Sequence, residues 1–282
     1  MQAVALGLLA AVLWAVSSLA SSRGVRMVPP TSFVAWAMLV GLVVSLPFTV
    51  ATGVPPALGP SQLAQFALAG TCSVAGLVLG WGALRYGKIG IVTPIVSAEG
   101  AIAAVIAALM GESIAPAAAV LLGAIAIGVA IAAIAPDPAP LEHERPVLAV
   151  GMAVAAAVVF GLSLYTLGRL SGELPLSWVV LPPRVAGVVL LFLPLLITRR
   201  LRLTRQVAPL VVLVGLTEVG GHLSYALGAR DSIAVAAVLA CQFALIAAVL
   251  AYVLFRERLG RLQITAIAIL VAGVTGLTFL TA

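Results

Sequence analysis

Very few side chains of this sequence could do chemistry, and those few sit among apolar neighbours. Glu218 and His222 are four residues apart, and Tyr225 follows three later. On a helix that spacing puts all three on one face, with Glu218 and His222 in hydrogen-bonding reach. Glu99 lies in a second apolar run, Gln242 in a third, and Arg184 in a fourth just after Pro182-Pro183. A carboxyl held out of water is suited to load and release a proton. Glu99 and Glu218 are therefore candidate proton-coupling residues. His222 can share that proton, because imidazole titrates near neutral pH. Arg184 could hold a substrate carboxylate, since guanidinium meets that group with two parallel donors. Trp14, Trp81 and Tyr165 are candidate aromatic walls, and Tyr225 and Gln242 complete the candidate substrate-binding set. Each has a structural alternative. The acids could bond to neighbouring helices, Glu218 could be satisfied by His222, and Arg184 could neutralise a buried Glu.

Nothing points to a catalytic group, a metal or a cofactor. The two cysteines, Cys72 and Cys241, lie in separate apolar runs without metal-ligand spacing. The cluster Glu142-His143-Glu144 reads as a solvated linker. No GxxxxGK[ST] loop exists to bind ATP, so a pump of that kind is not expected.

The elements that must position these residues follow from composition. Of 282 residues, 63% are hydrophobic and only 9% are charged, and mean hydropathy is +1.25. A soluble domain is about half apolar and about a quarter charged. Too little polar surface exists for a soluble enzyme, a disordered chain, a coiled coil or a nucleic-acid-binding domain. The net charge of +6 sits in short loops between apolar runs, which suits membrane orientation better than nucleic acid.

Ten apolar runs can be marked, near residues 3–22, 31–52, 62–84, 89–110, 115–135, 147–168, 175–197, 207–228, 232–254 and 261–281. Each is long enough to cross about 30 Å of hydrocarbon. Backbone groups in lipid must bond within their own segment, so the runs are helices. Residues 1–22 lack a basic leading region and read as a first span rather than a cleaved signal. The expected fold is an all-α polytopic membrane protein.

The proline-rich stretch Ala135 to Pro146 divides the chain into residues 1–135, a linker over 136–146, and residues 147–282. The halves resemble each other. Trp14-Ala15-Val16-Ser17-Ser18 aligns with Phe160-Gly161-Leu162-Ser163-Leu164, and the stretch from Leu84 to Val92 with that from Leu227 to Val235. The fourth span of each half ends in a Glu, Glu112 and Glu257. Five is odd, so a second copy in tandem must insert upside down. The charges agree: of fifteen Lys and Arg, twelve fall on one side, Arg169 and Arg230 on the other, and Arg184 inside a span. That is the positive-inside signature, and inverted repeats are a common plan of secondary transporters. It places both ends of the chain outside.

The run from Leu84 to Gly90 with Gly111-Glu112-Ser113, and that from Ala229 to Leu259, resemble the EamA-type repeat of the drug/metabolite transporter superfamily. Trp14 resembles that family's opening helix. Pro183-Arg184-Val185 sits where an Arg followed by an aromatic residue is frequent, and Trp36 replaces the Arg in the first half. The resemblance implies a ten-helix carrier of two inverted five-helix repeats, with both ends usually drawn inside. It implies a secondary-active transporter that exports a small metabolite such as an amino acid, by alternating access with proton coupling. The expected setting is the inner or plasma cell membrane, as a monomer or homodimer with lipid and a small solute as partners. A multidrug exporter and a membrane-embedded enzyme acting on a lipid-linked substrate are the alternatives. The first spans of both halves lack an acid, which weighs against the small multidrug type.

Overall fold

The computed structural model describes residues 2–56, 58–100, 145–231, 239–255 and 260–280, with isolated positions between 102 and 131. These residues are helical with no strand among them, and six of the helices are long and apolar enough to cross a membrane. In chain order they build α1 (Gln2–Met27), α2 (Pro30–Thr52), α3 (Pro60–Tyr86), α4 (Ile89–Val96), α5 (Pro146–Glu173), α6 (Leu176–Ile197), α7 (Ala208–Asp231), α8 (Phe243–Phe255) and α9 (Arg261–Leu280). The fifth expected span, the linker with Glu142-His143-Glu144, and Glu112, Arg256, Glu257 and Arg258 lie outside the described residues.

Proline sets several boundaries. Pro30, Pro60 and Pro146 occupy first turns, where the missing N–H is no loss. At 26 to 28 residues, α1, α3 and α5 rise roughly 40 Å, more than the hydrocarbon thickness. Arg23, Arg26, Arg85, Arg169 and Arg230 therefore ride on projecting helix ends, not in loops as expected from sequence. Arg is a good helix former, and its long stem lets the charge reach the interface.

Polarity is turned inside out relative to a soluble protein. Phe48, Val50, Val147, Ile197 and Tyr252 are exposed, while Ser17, Ser21, Ser97, Glu99, Ser163, Arg184 and Glu218 are buried. Such an exterior suits lipid and would aggregate in water. Lipid supplies no hydrophobic drive between helices, so close backbone approach must supply cohesion. A Cβ on Gly76 of α3 would stand 2.6 Å from the Phe160 ring of α5, and one on Gly221 of α7 would strike the Trp14 indole of α1. Accordingly α3 lies along α5 and α1 along α7, the two most extensive pairings. Next come α2 with α7 and α3 with α6, then α4 with α8 and α1 with α8.

Several helices are interrupted at membrane depth. α4 contains Pro94 and stops at Val96; Ser97 and Ala98 form a turn before helix resumes at Glu99. A turn at Gln242 likewise precedes α8. α6 breaks at Val180, restarts with Pro182-Pro183 in its first turn, and carries a π-helical turn over Val188–Phe192. Such bulges are frequent at functional sites, and irregular backbone at this depth is tolerated where protein or a cavity surrounds it.

Candidate functional site

α1, α3, α4, α5 and α7 enclose a hollow of about 700 Å³, counted with its mouth. Five of the residues singled out from sequence line it: Trp14, Trp81, Glu99, Glu218 and His222. The break in α4 brings Glu99 there, since the chain turns just before it. Glu218 and His222 share a face of α7, as their spacing requires.

Glu218 is the best-held group. Ser17 of α1 donates to its Oε1 at 2.7 Å, and His222 Nδ1 is 3.7 Å from Oε2. His222 Nδ1 also lies 2.8 Å from the Glu218 carbonyl oxygen and 3.3 Å from Arg184 Nη2. One ring nitrogen carries either a proton or a lone pair, so it cannot donate to the carbonyl and accept from the guanidinium together. The shorter contact favours a proton on Nδ1, donated to the carbonyl. Arg184 is then held by charge rather than by an acceptor, and its Nε and Nη1, both buried, have no hydrogen-bond partner. Its counter-charge is Glu218, with which it interacts electrostatically.

Four expected substrate contacts do not line this hollow. Arg184 is wholly buried behind His222, against Gly41 and Val219, because the restart of α6 after Val180 sets its rotation. Tyr225 packs its ring 6.2 Å from Trp14 and borders a smaller void with Leu167, Ser171, Val179 and His222. Gln242 donates to Thr275 Oγ1 at 2.8 Å, tying the start of α8 to α9. Tyr165 is half-buried and borders none of these spaces.

The lining also includes Ser18, Ser73, Thr93, Phe160, Ser163 and Phe243, which sequence reasoning did not single out. A signal existed for two of them. Trp14 and Phe160 are the aligned positions of the two half-sequences, and Ser18 continues the face of Trp14 one turn on. Trp14 organises the aromatic wall, with His222 at 5.4 Å and Phe243 at 6.2 Å, both edge-on. Trp81 stands edge-on to Phe33 at 5.6 Å.

The hollow's surroundings differ at its two ends. Where α1, α3 and α5 meet, Arg26 Nη2 donates to the carbonyls of Leu84 at 3.3 Å and Gly87 at 3.5 Å, and the Arg145 N–H donates to the Tyr86 carbonyl at 2.8 Å. Towards the other end, Leu167 and His222 separate the hollow from the void beside Tyr225. Ser171 joins that void to an outer recess bordered by Glu173 and Arg230.

A solved crystal structure, described only as that of a protein, superposes on this fold with a TM-score of 0.68. The superposition covers 99% of this chain and 96% of the other, at 19% identity. At that identity the likeness concerns the fold alone. No curated protein matches the sequence significantly. Residues 1–134, which carry Trp14, Trp81 and Glu99, match the EamA-like transporter family. Through that half the chain belongs to the EamA-like transporter family, a family of membrane transporters within the drug/metabolite superfamily.

Proposed function

We propose that this protein is a secondary-active transporter that exports a small metabolite across the inner or plasma membrane, with proton movement coupled to the solute. The observation that carries the proposal is the position of two acids, Glu99 and Glu218, on the wall of a hollow buried between apolar helices. An ionisable group at membrane depth costs about 2.5–3.5 kcal/mol on insertion scales, so two at one cavity argue for a use. A catalytic reading finds less support. The lining offers His222 and two acids but no nucleophile activated by a base, and the hollow lies between helices rather than at an interface where a lipid-linked substrate would react.

Alternating access needs two halves that can rock against each other. The helix pairings support two inverted five-helix repeats. Exchanging the halves turns α1 with α7 into α5 with α3, and α2 with α7 into α6 with α3, and both members of each exchange are present. The Arg26 ties at one end and the Leu167–His222 neck at the other are then the two barriers that open in turn.

An amino acid is a second reading of the solute. The buried Nε and Nη1 of Arg184, without acceptors, would take its carboxylate if His222 turned aside.

Purified protein in liposomes, under an imposed pH gradient, tests the proposal. Solute movement should be accompanied by proton movement, and the solute should emerge chemically unchanged. Glu99→Gln and Glu218→Gln, assayed separately, should each weaken the coupling. If both variants transport like the parent under a proton gradient, proton coupling at these acids is wrong.

A further inference from the structure

The charges around the hollow do not balance, and the imbalance has a sign. Glu218 faces Arg184 from α6, His222 on its own helix, and Glu99 across the cavity. Glu99 faces Glu218, Tyr225 and, beside Gly100, Cys241. α1, α3 and α5 contribute no ionisable side chain to the lining. Lys88 is buried at the start of α4, eleven residues before Glu99, which is roughly 16 Å along a helix. Among the described residues no Lys or Arg lines the hollow. Two carboxyls thus share one guanidinium. Arg184 and Ser17 attend to Glu218, which leaves Glu99 as the acid whose charge the protein does not cancel.

We propose, resting on the transporter reading above, that the hollow takes a lipophilic organic monocation and that this cation and one proton exchange at Glu99. The walls fit the rest of such a solute. Trp14, Trp81, Phe160 and Phe243 present four aromatic rings, and aromatic faces attract cations most strongly when water is excluded. The polar lining apart from the acids and His222 is hydroxyl only, from Ser18, Ser73, Thr93 and Ser163, which suits a head group with few donors. A carboxylate on the solute would meet Glu99 and Glu218 before reaching Arg184, which is screened by His222. When the cation arrives, the O–H bond of protonated Glu99 breaks, its proton passes to water on the side the cation left, and the carboxylate pairs with the cation. No other bond changes. Either occupant makes the Glu99, Glu218 and Arg184 cluster neutral, and an empty cavity with both acids ionised leaves a buried charge uncompensated, which is unfavourable. The scheme therefore gives one-for-one exchange.

Three solutes sharing one aromatic body test the class: phenethyltrimethylammonium, phenylalanine and 3-phenylpropionate. The quaternary head cannot leak through lipid as a free base. In proteoliposomes holding a pH-reporting dye, the ammonium compound should move against protons and the other two should not. Binding is read separately in detergent from tryptophan fluorescence, since Trp14 and Trp81 line the site. Glu99→Gln should weaken ammonium binding roughly 10- to 100-fold, the range for losing one charge-assisted contact, and should abolish proton exchange. Glu99→Asp, which keeps the charge, should restore part of both and guards against a folding defect in the first variant. Exchange or binding of phenylalanine as strong as that of the ammonium compound overturns the cation class while leaving the transporter reading intact. If Glu99→Gln binds and exchanges like the parent while Glu218→Gln does not, the assignment to Glu99 is overturned. If none of the three solutes and no proton moves, the transporter reading falls, and the proposal with it.

Discussion

The pairing of Arg184 with Glu218 can be put to a quantitative test. The contacts meeting at His222 Nδ1, 3.3 Å to Arg184 and 3.7 Å to Glu218, keep guanidinium and carboxylate within roughly 7 Å, where opposite unit charges at an effective dielectric near 20 attract by about 2.4 kcal/mol. Replacing Arg184 by Met keeps the stem length and removes the charge, leaving Glu218 with Ser17 alone. Replacing Glu218 by Gln strands a buried cation whose Nε and Nη1 already lack acceptors. Each single change should be strongly destabilising, about 3–5 kcal/mol, as when one member of a buried pair is removed. The double variant strands neither charge, so it should be more stable than the summed singles by about 2 kcal/mol or more. Unfolding in mixed micelles, by titration with denaturing detergent and near-ultraviolet circular dichroism, gives the three free energies. Additivity within about 0.5 kcal/mol, the scatter of independent sites, would refute the view that Arg184 neutralises Glu218. The division of labour between the two acids would then have to be redrawn.

Other expected outcomes follow from single contacts. Ser17→Ala removes the 2.7 Å bond to Glu218 and should lower stability by about 1.5–3 kcal/mol, the range for a hydrogen bond to a charged group, read by the same unfolding assay. Gly221→Ala places a methyl group where the Trp14 indole lies; it should cost about 1–3 kcal/mol from overpacking and shift the tryptophan emission and solute affinity. Gly76→Leu should behave alike through Phe160, with loss of solute binding as the readout. Val54→Cys and Leu203→Cys, both at exposed positions after α2 and α6, test the inverted repeat in a Cys72→Ser, Cys241→Ser background. A membrane-impermeant thiol reagent should reach them from opposite sides of sealed vesicles, and labelling from one side would rule the inversion out.

The helices were legible in the sequence because a bilayer imposes length and apolarity directly on the chain. The expected 31–52 and 175–197 meet Pro30–Thr52 and Leu176–Ile197. Acids were equally legible as exceptions: Glu99 and Glu218 stand out wherever nearly everything else is apolar. What the sequence could not supply was rotation. Phe160, Ser163, Leu164 and Leu167 line the hollow at helical spacing, and Tyr165 is one residue off that stripe, turned about 100° away. Choosing Tyr165 for its ring rather than for its phase was the error in kind. Arg184 and Gln242 escaped for a different reason, since each follows a backbone break that resets the helix face. The same breaks put Glu99 on the wall. A proline two residues before a polar turn, as in Thr93-Pro94-Ile95-Val96-Ser97, signals that helical phase should not be carried across it. In a membrane protein such a break is also where an ionisable side chain can leave the lipid face, so interruption and acid belong to one feature. Restoring continuity with Pro94→Ala should therefore rotate Glu99 relative to Glu218. Solute exchange should fall while the fold, judged by far-ultraviolet circular dichroism, is kept. Unchanged exchange in Pro94→Ala would show that Glu99 reaches the hollow without help from the break.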